Sequence, residues 1–515
     1  MTPSFHAHGR RPVPLLFDAL AVLALGALHS VPMVATAWWA LQLLAVGLLA
    51  WRVAQAGPGR AALLGALFGS AWLGCSVWWL FISMHRYGGL PAWMAGGAVL
   101  ILCVALSLCQ AASLAVFARW RYGRPLADAL LFAAVWLLAE LARGVLLTGF
   151  PWAASGYAHV DGPLALLAPW VGVYGMGFVG AALAVWVVLQ PGRGRVMRHG
   201  LGVVVLLGAA SFAHPVPFTQ ATGTLTLTLL QSNVAQDEKF APEFLPQSLA
   251  WAAEQLLAAR GELVIGPETV IPLLPAQLDP AFWQGLLAHF QRGPQAALIG
   301  VPLGDEAQGY TNSVAGVSAA TAALPGGFYR YDKHHLVPFG EVVPTGFRWF
   351  TEMMNIPLGD FNRGPLVAPS FAVRGERVAP NICYEDLFGE ELAQRFGDAA
   401  TAPTIFANIS NIGWFGDTIA VGQHLNISRL RTLEFQRPMV RATNTGATVV
   451  IDHQGRVRFA LAPHTRGVLD AEVQGRSGLT PFARWAAAWG LWPLALLAAA
   501  IVLASVLPLP LRRRP

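Results

Sequence analysis

The sequence predicts two fold classes in one chain: an α-helical membrane bundle of about eight transmembrane helices, and a mixed α/β domain inserted before the last helix. Three observations predict it. Of the 515 residues, 55% are hydrophobic and only 12% charged, with mean hydropathy +0.50 and 19 tryptophans, which lies outside the usual range of soluble chains. Charges are sparse before about residue 215 and thicken from there to about residue 477. Over the same boundary the apolar runs shorten, from bilayer length to short stretches bounded by turn residues.

A hydrocarbon core roughly 30 Å thick takes about 17 to 25 apolar residues to cross as a helix. Such runs stand at 13–31, 34–54, 61–84, 91–118, 125–148, 163–190, 196–213 and 482–509. They make a seven-helix region over 1–215 and an eighth helix with a basic tail over 480–515. Pro32 separates the first two, which together are too long for one crossing. Arg10 and Arg11, Arg52 and Arg60, Arg119, Arg121 and Arg124, Arg193, Arg195 and Arg198, and Arg512 to Arg514 all fall on one side of these spans. Both termini are therefore expected in the cytoplasm, and residues 220–477 outside it. The same arginines account for most of the net charge of +6, so nothing calls for a nucleic-acid partner. The N-terminal run has no clear small-x-small cleavage site and is expected to stay as a span. Within the spans, Glu140 and Arg143 share a helix face at i, i+3, and Asp18 and Asp128 are the other ionisable residues of note. A transport path is the competing reading of this set, but the polar lining is sparse, no inverted repeat is visible, and transport leaves the large polar region unexplained.

In the polar region TLTLTLLQSN, ELVIGPE, AALIGVP, YTNSVAGVS, VAPNICYE, PTIFANISN, MVRATNTG and ATVVIDHQG read as strands. FLPQSLAWAAEQLLAARG, DPAFWQGLLAHFQRG, FGEELAQRFG and GQHLNISRLRTLEFQRP read as helices between them. Strands apolar throughout and separated by helices predict sheets covered on their faces. Several strands end in polar residues: Glu268, Cys383 with Tyr384 and Glu385, and Asn408, Ser410 and Asn411. The carboxyl ends of strands are where α/β folds bind ligands. Cys75, Cys103 and Cys109 fall inside predicted spans, so Cys383 has no partner for a disulfide in its own region. Lys333 sits in the charged segment RYDKHHLVPFGE with Glu341. His334 and His335 there lack a spaced third ligand, so no metal and no other cofactor is expected.

GPET with Glu268, YDKHHLVPFGE with Lys333 and Glu341, and NICYED with Cys383 resemble the three catalytic signatures of the nitrilase superfamily, in the same order and 65 and 50 residues apart. Within the eight-span frame the chain resembles the membrane-bound apolipoprotein N-acyltransferase branch of that superfamily. NISNIGWFGDT with Trp414, QHLNISRLR with His424 and RATNTG with Asn444 also resemble it. The chain departs at Lys239-Phe240, where the family pattern has a tryptophan and Phe240 keeps the aromatic surface without the indole donor. The resemblance implies an αββα sandwich and a Glu268, Lys333, Cys383 triad in a bacterial inner-membrane enzyme with its catalytic domain in the periplasm. It implies transfer of an acyl chain from a phospholipid to the amine of a diacylglyceryl-modified apolipoprotein. The alternative is a membrane-tethered carbon–nitrogen hydrolase that releases its thioester to water.

The residue chemistry suits acyl transfer. A covalent route needs a nucleophile, a base and a positive group for the oxyanion, and Cys383, Glu268 and Lys333 supply one each. An ammonium beside Cys383 is expected to favour the thiolate. The resemblance makes Glu341 essential, where the residues alone leave it a surface ion pair or a partner of Lys333; Tyr384, Glu385, Asn411 and Trp414 are supporting candidates. Because each CH₂ exposed to water costs about 0.8 kcal/mol, a site for bilayer lipid must open toward the membrane. VVPTGFRWFTEMMNIPLGDF, with Phe347, Trp349, Phe350, Met353 and Met354, is the candidate lid. Trp152 and Tyr157 in GFPWAASGYAHV are candidates for the facing, lipid-side wall, with ordinary interfacial belt residues as the alternative, and Phe240 is a further lipid-facing candidate.

Overall fold

The computed structural model describes residues 14–351 and 361–507. Arg10, Arg11, Met353, Met354 and Arg512 to Arg514, all used above, lie outside the described residues. Among the described residues, seven α-helices longer than a single turn precede the polar region: α1 (Leu15–Ser30), α2 (Ala40–Val53), α3 (Pro58–Val77), α4 (Ala92–Trp120), α5 (Pro125–Val145), α6 (Ala168–Val188) and α7 (Arg193–Ser211). Among the described residues five helices are long and apolar enough to cross a membrane, or up to six if a bent pair near the C-terminus is one span. Two of the expected spans fall short for visible reasons. Helix α2 has 14 residues, about 21 Å at roughly 1.5 Å per residue, and α7 begins with Arg193, Arg195 and Arg198 inside the helix. Small residues set the packing: a Cβ at Gly65 would lie 2.7 Å from the Gln110 carbonyl, and one at Gly69 2.7 Å from Ser107 Cβ. Helices α3 and α4 therefore meet backbone to backbone. Asp18 pairs with Arg52 and Arg60, while Glu140 approaches Arg143 at 4.0 Å and accepts hydrogen bonds from the Ser155 amide and hydroxyl.

The α/β part holds β1 (Thr219–Gln231), α8 (Leu245–Ala258), β2 (Leu263–Ile265), α9 (Pro280–Arg292), β3 (Ala296–Asp305), β4 (Gly309–Val317) and β5 (Tyr329–Asp332). It continues with β6 (Phe371–Val373), β7 (Glu376–Ile382), β8 (Ile405–Ser410), α10 (Ile419–Phe435), β9 (Met439–Thr443), β10 (Val449–Ile451), β11 (Val457–Ala460) and β12 (Gly467–Gly478). The strands form two six-stranded sheets, ordered β12-β1-β2-β3-β4-β5 and β11-β10-β9-β8-β7-β6. Each has three parallel strands, β1-β2-β3 and β7-β8-β9, flanked by antiparallel neighbours.

The sheets pack face to face, because alternate residues of each strand are apolar toward the other sheet. Leu227, Ile265, Leu298 and Val314 of one sheet share a core with Ile382, Ile409, Val440 and Val450 of the other. The opposite set, Val264, Ala297, Ile299 and Ala315, is covered by Leu256, Trp283, Leu287 and Phe290 of α8 and α9. Outside the second sheet, Phe406 and Met439 lie under Phe435 of α10 and under Phe482 and Ala486. The order helix, sheet, sheet, helix agrees with the expected sandwich. Strands β5, β6, β11 and β12 are additional to the expected set. In β12 the residues Asp470, Glu472 and Arg476 interrupt the apolar signal, and only pairing with β1 along most of its length makes it a strand.

The last apolar run is not one helix. It divides into α11 (Pro481–Trp489) and α12 (Trp492–Val506), bent by 84°. Gly490 turns the chain at φ 55°, a left-handed conformation that favours glycine. Phe482, Ala483 and Ala486 of α11 pack on the second sheet, so the sandwich claims the first two turns of the run. The membrane bundle and the sandwich also share one apolar cluster: Ala420, Ile427 and Leu430 of α10, with Tyr384 and Phe388, join Trp152, Tyr157 and Val173.

Candidate active site

Glu268, Lys333, Cys383 and Asn411 stand just beyond the carboxyl ends of β2, β5, β7 and β8, the first two from one sheet and the last two from the other. Local sequence explains each placement. The chain leaves β2 through Gly266-Pro267, held by the Gly266 amide on the Leu298 carbonyl at 2.9 Å. Gly300 in the neighbouring strand lets the turn come close, since a Cβ there would stand 2.2 Å from the Pro267 carbonyl and 2.7 Å from the Thr269 amide. Gly300→Ala is expected to push Glu268 out of place. Activity that depends on Glu268 should fall by about 100-fold, the effect of a misplacement of roughly 1 Å, while unfolding stability drops by only about 1–3 kcal/mol; rate measurements and urea unfolding of the same sample check it.

Lys333 follows β5 with its amide on the Asn312 carbonyl at 2.8 Å and its side chain fully buried. Its Nζ lies 2.9 Å and 2.8 Å from the two oxygens of Glu341 and 3.6 Å from Glu268 Oε1. Asn312 Nδ2 donates to both Glu268 Oε1 and Glu341 Oε1 at 2.7 Å, and the Val337 amide donates to Glu341 Oε2 at 2.8 Å. The Asn411 amide donates to Glu268 Oε2 at 2.7 Å. Cys383 opens the turn after β7 at φ 52°, a conformation that costs a non-glycine residue energy. The turn is held by Glu385, whose carboxylate accepts from the Ile382 amide at 2.6 Å, Tyr331 Oη at 2.7 Å and the His334 amide at 2.7 Å. Glu385 thus ties the Cys383 turn to the Lys333 segment.

Burial pushes the Lys333 ammonium down, but Glu341 and Glu268 outweigh it and hold the group above the ordinary lysine range. Burial pushes the Cys383 thiol up to about 12, Glu268 adds to the rise, and Lys333 opposes it without cancelling it. At neutral pH Cys383 therefore carries its proton at rest. Lys333 thus acts toward the thiolate, as expected, but burial and Glu268 outweigh it. The charge of Lys333 is largely taken up by two carboxylates, so attack on a carbonyl has to be accompanied by proton transfer.

Residues 25–186 match the family model of the apolipoprotein N-acyltransferase N-terminal domain, and residues 226–482 that of carbon-nitrogen hydrolase. The apolipoprotein N-acyltransferase of Verminephrobacter eiseniae (strain EF01-2) is 54% identical over 484 residues, 88% of this chain and 89% of that one. That of Ralstonia nicotianae (strain ATCC BAA-1114 / GMI1000) is 46% identical over 492 residues, 94% and 93% of the two chains. That of Bordetella bronchiseptica (strain ATCC BAA-588 / NCTC 13252 / RB50) is 44% identical over 508 residues, 90% and 92%.

This chain belongs to the apolipoprotein N-acyltransferase family.

In this family member, the supporting residues expected from sequence divide into two groups. Tyr384 and Asn411 are buried structural links: Tyr384 Oη donates to the Gly149 carbonyl at 3.0 Å, and Asn411 Nδ2 to Gln236 Oε1 at 2.8 Å. Trp414 and Phe240 are half-buried at the site's edge, the former edge-on to Tyr87 at 5.8 Å between ring centroids. Trp152 and Tyr157 do not face lipid as expected of a lipid-side wall. They are 3% and 2% exposed, because Trp152 Nε1 donates to Gln423 of α10 at 2.9 Å and Tyr157 Oη to the Leu387 carbonyl at 3.4 Å. Their loop is the joint between bundle and sandwich. Of the candidate lid, Phe347 and Trp349 are exposed, while Phe350 packs with Phe339 on Leu90 and Met94 of the membrane bundle. His334 Nδ1 meets the Gly364 carbonyl at 2.8 Å, and His335 meets Glu391 at 2.9 Å and the Thr148 carbonyl at 3.0 Å.

Two groups at this site escaped the sequence reading. Asn312 lies inside the strand run YTNSVAGVS with nothing in its neighbourhood to mark it, and only the pairing of β4 with β3 and β5 brings it to the carboxylates. Lys239, noted from sequence only as the neighbour of Phe240, is 5% exposed and donates from Nζ to the Glu268 carbonyl at 2.8 Å.

Proposed function

We propose that this chain transfers a fatty acyl group from a membrane phospholipid to the N-terminal amine of an S-diacylglyceryl-cysteine on apolipoproteins, in two steps through a Cys383 thioester. Cys383 Sγ attacks the ester carbonyl as Glu268 takes the thiol proton, and Lys333 faces the oxyanion. The C–O bond breaks, the proton goes to the leaving alkoxide, and a lysophospholipid departs. The acceptor amine then attacks the thioester; the C–S bond breaks, and the amine proton returns through Glu268 to sulfur. Glu341 and Asn312 keep Lys333 and Glu268 in register, and Glu385 holds the nucleophile's turn. In the same reading the chain makes eight spans of the bacterial inner membrane, with both termini cytoplasmic and residues 220–477 on the periplasmic side.

One observation carries this reading: Lys333 lies fully buried between the Glu341 and Glu268 carboxylates, within electrostatic reach of Cys383 on its strained turn, in a chain of this family. The apolar contact of Phe339 and Phe350 with Leu90 and Met94 supports an opening toward lipid, since it continues the bundle's surface up to the Lys333 segment. The test is to incubate detergent-purified protein with a phospholipid labelled in its acyl chain, without acceptor, and weigh the intact protein. One acyl adduct is expected, removed by hydroxylamine, mapped to the Cys383 peptide and discharged by a diacylglyceryl peptide. If Cys383 reacts with a thiol probe and yet takes no acyl group from the lipid, a phospholipid donor is ruled out; turnover of soluble amides would then favour the hydrolase reading.

A further inference from the structure

Lys333 and Lys239 are both buried at this site, but their surroundings differ. Lys333 is enclosed by two carboxylates. Among the described residues Lys239 forms no ion pair: its Nζ donates to the Glu268 main-chain carbonyl at 2.8 Å and lies near the Phe240 ring, 6.0 Å from its centroid. An ammonium has three N–H donors, so two remain for something else. Three residues earlier, Gln236 is 5% exposed; its Oε1 accepts from Asn411 Nδ2, and its Nε2 has no partner among the described residues. One turn thus carries two buried donor groups with spare N–H bonds, next to the residues that hold Glu268.

A buried cation that makes no ion pair is costly. Burial pulls the Lys239 ammonium down to about 8, with Glu268 and Cys383 acting against the shift. A ligand that brings a fixed negative charge would relieve this cost. Of the two substrates in the reading above, on which this inference rests, the donor carries a phosphodiester a few bonds from its ester. The acceptor brings an amine, which is cationic at neutral pH when protonated and has no such group.

We propose that Lys239, with Gln236 as a second donor, binds the phosphodiester of the donor lipid and so selects phospholipids over uncharged esters. The same ammonium disfavours the protonated acceptor amine, so the neutral, nucleophilic form is the one that approaches the thioester.

The test compares two acyl donors in identical detergent micelles: a phosphatidylethanolamine and p-nitrophenyl palmitate, which has no phosphate. Rates of Cys383 adduct formation are read by intact mass for the parent chain, Lys239→Gln, Lys239→Arg and Gln236→Leu. In Lys239→Gln the ratio of phospholipid to p-nitrophenyl ester rates should fall roughly 10- to 100-fold, the range for a hydrogen bond to a charged group. Lys239→Arg should keep the ratio within about threefold, since the charge is retained, and Gln236→Leu should lower it by less than Lys239→Gln. An equal loss with both donors would overturn the proposal and make Lys239 a support for Glu268 or Cys383. Should Lys239→Gln fail to fold, an unchanged ratio in Gln236→Leu overturns it as well. A parent chain that accepts the p-nitrophenyl ester and refuses the phospholipid would instead refute the donor assigned under the proposed function.

Discussion

Cys383→Ala is expected to take no acyl group from labelled phospholipid and to deliver none to a diacylglyceryl peptide, a loss bounded only by the detection limit. The thiol is the one group at the site able to form a thioester, and neither Glu268 nor Lys333 gives a hydroxylamine-labile adduct of that kind. The fold should survive. Cys383 is half-buried, and the hydrogen bonds that hold its turn run through backbone groups and Glu385, with Ser410 beside the thiol. A glycine control separates chemistry from strain. At φ 52° a Cβ is a burden, so Cys383→Gly should be more stable than Cys383→Ala by about 1 kcal/mol while both remain inert. Equal adduct formation in the parent chain and in Cys383→Ala would remove the cysteine from the mechanism.

Lys333→Met should abolish transfer and also destabilise the protein, by about 3–5 kcal/mol, the cost of breaking a buried ion pair from one side. The reason is geometric. Glu341 and Glu268 share Lys333 Nζ and the Asn312 amide, so without the ammonium two carboxylates face each other with one neutral donor between them. Adding Glu341→Gln to Lys333→Met removes one of those charges. The double variant should regain much of the stability, read by chemical unfolding in detergent, but none of the activity, read by adduct mass. Recovery of both would reduce Lys333 to a structural counter-ion, and the oxyanion would need another donor.

How far the sequence could be read depended on the range of the interaction. The strand ends that carry Glu268, Cys383 and Asn411 were legible because a strand, its polar terminus and the following turn lie within a few residues of each other. Membrane helices were legible for the same reason, each being a run whose length answers to the bilayer. Where one run serves two environments the reading failed: residues 481–506 are apolar throughout, yet Gly490 divides them, and α11 belongs to the sandwich. The wall residues failed similarly, since a tryptophan and a tyrosine in a loop beside the membrane look alike whether they meet lipid or, as Trp152 and Tyr157 do, Gln423 and Leu387.

Sequence by itself determined the two solvents of this chain, the order and chemical identity of Glu268, Lys333 and Cys383, and the family they resemble, because each rests on composition or on a short motif. Only the tertiary structure decided their electrostatics. Pairing of β4 with β3 and β5 brings Asn312 to both carboxylates, folding of the turn after β1 buries Lys239, and burial together with Glu268 leaves Cys383 a protonated thiol at rest. Coulomb energy depends on distance and on the surrounding dielectric. Both are set by segments far apart in sequence, which meet only once the sheets have packed.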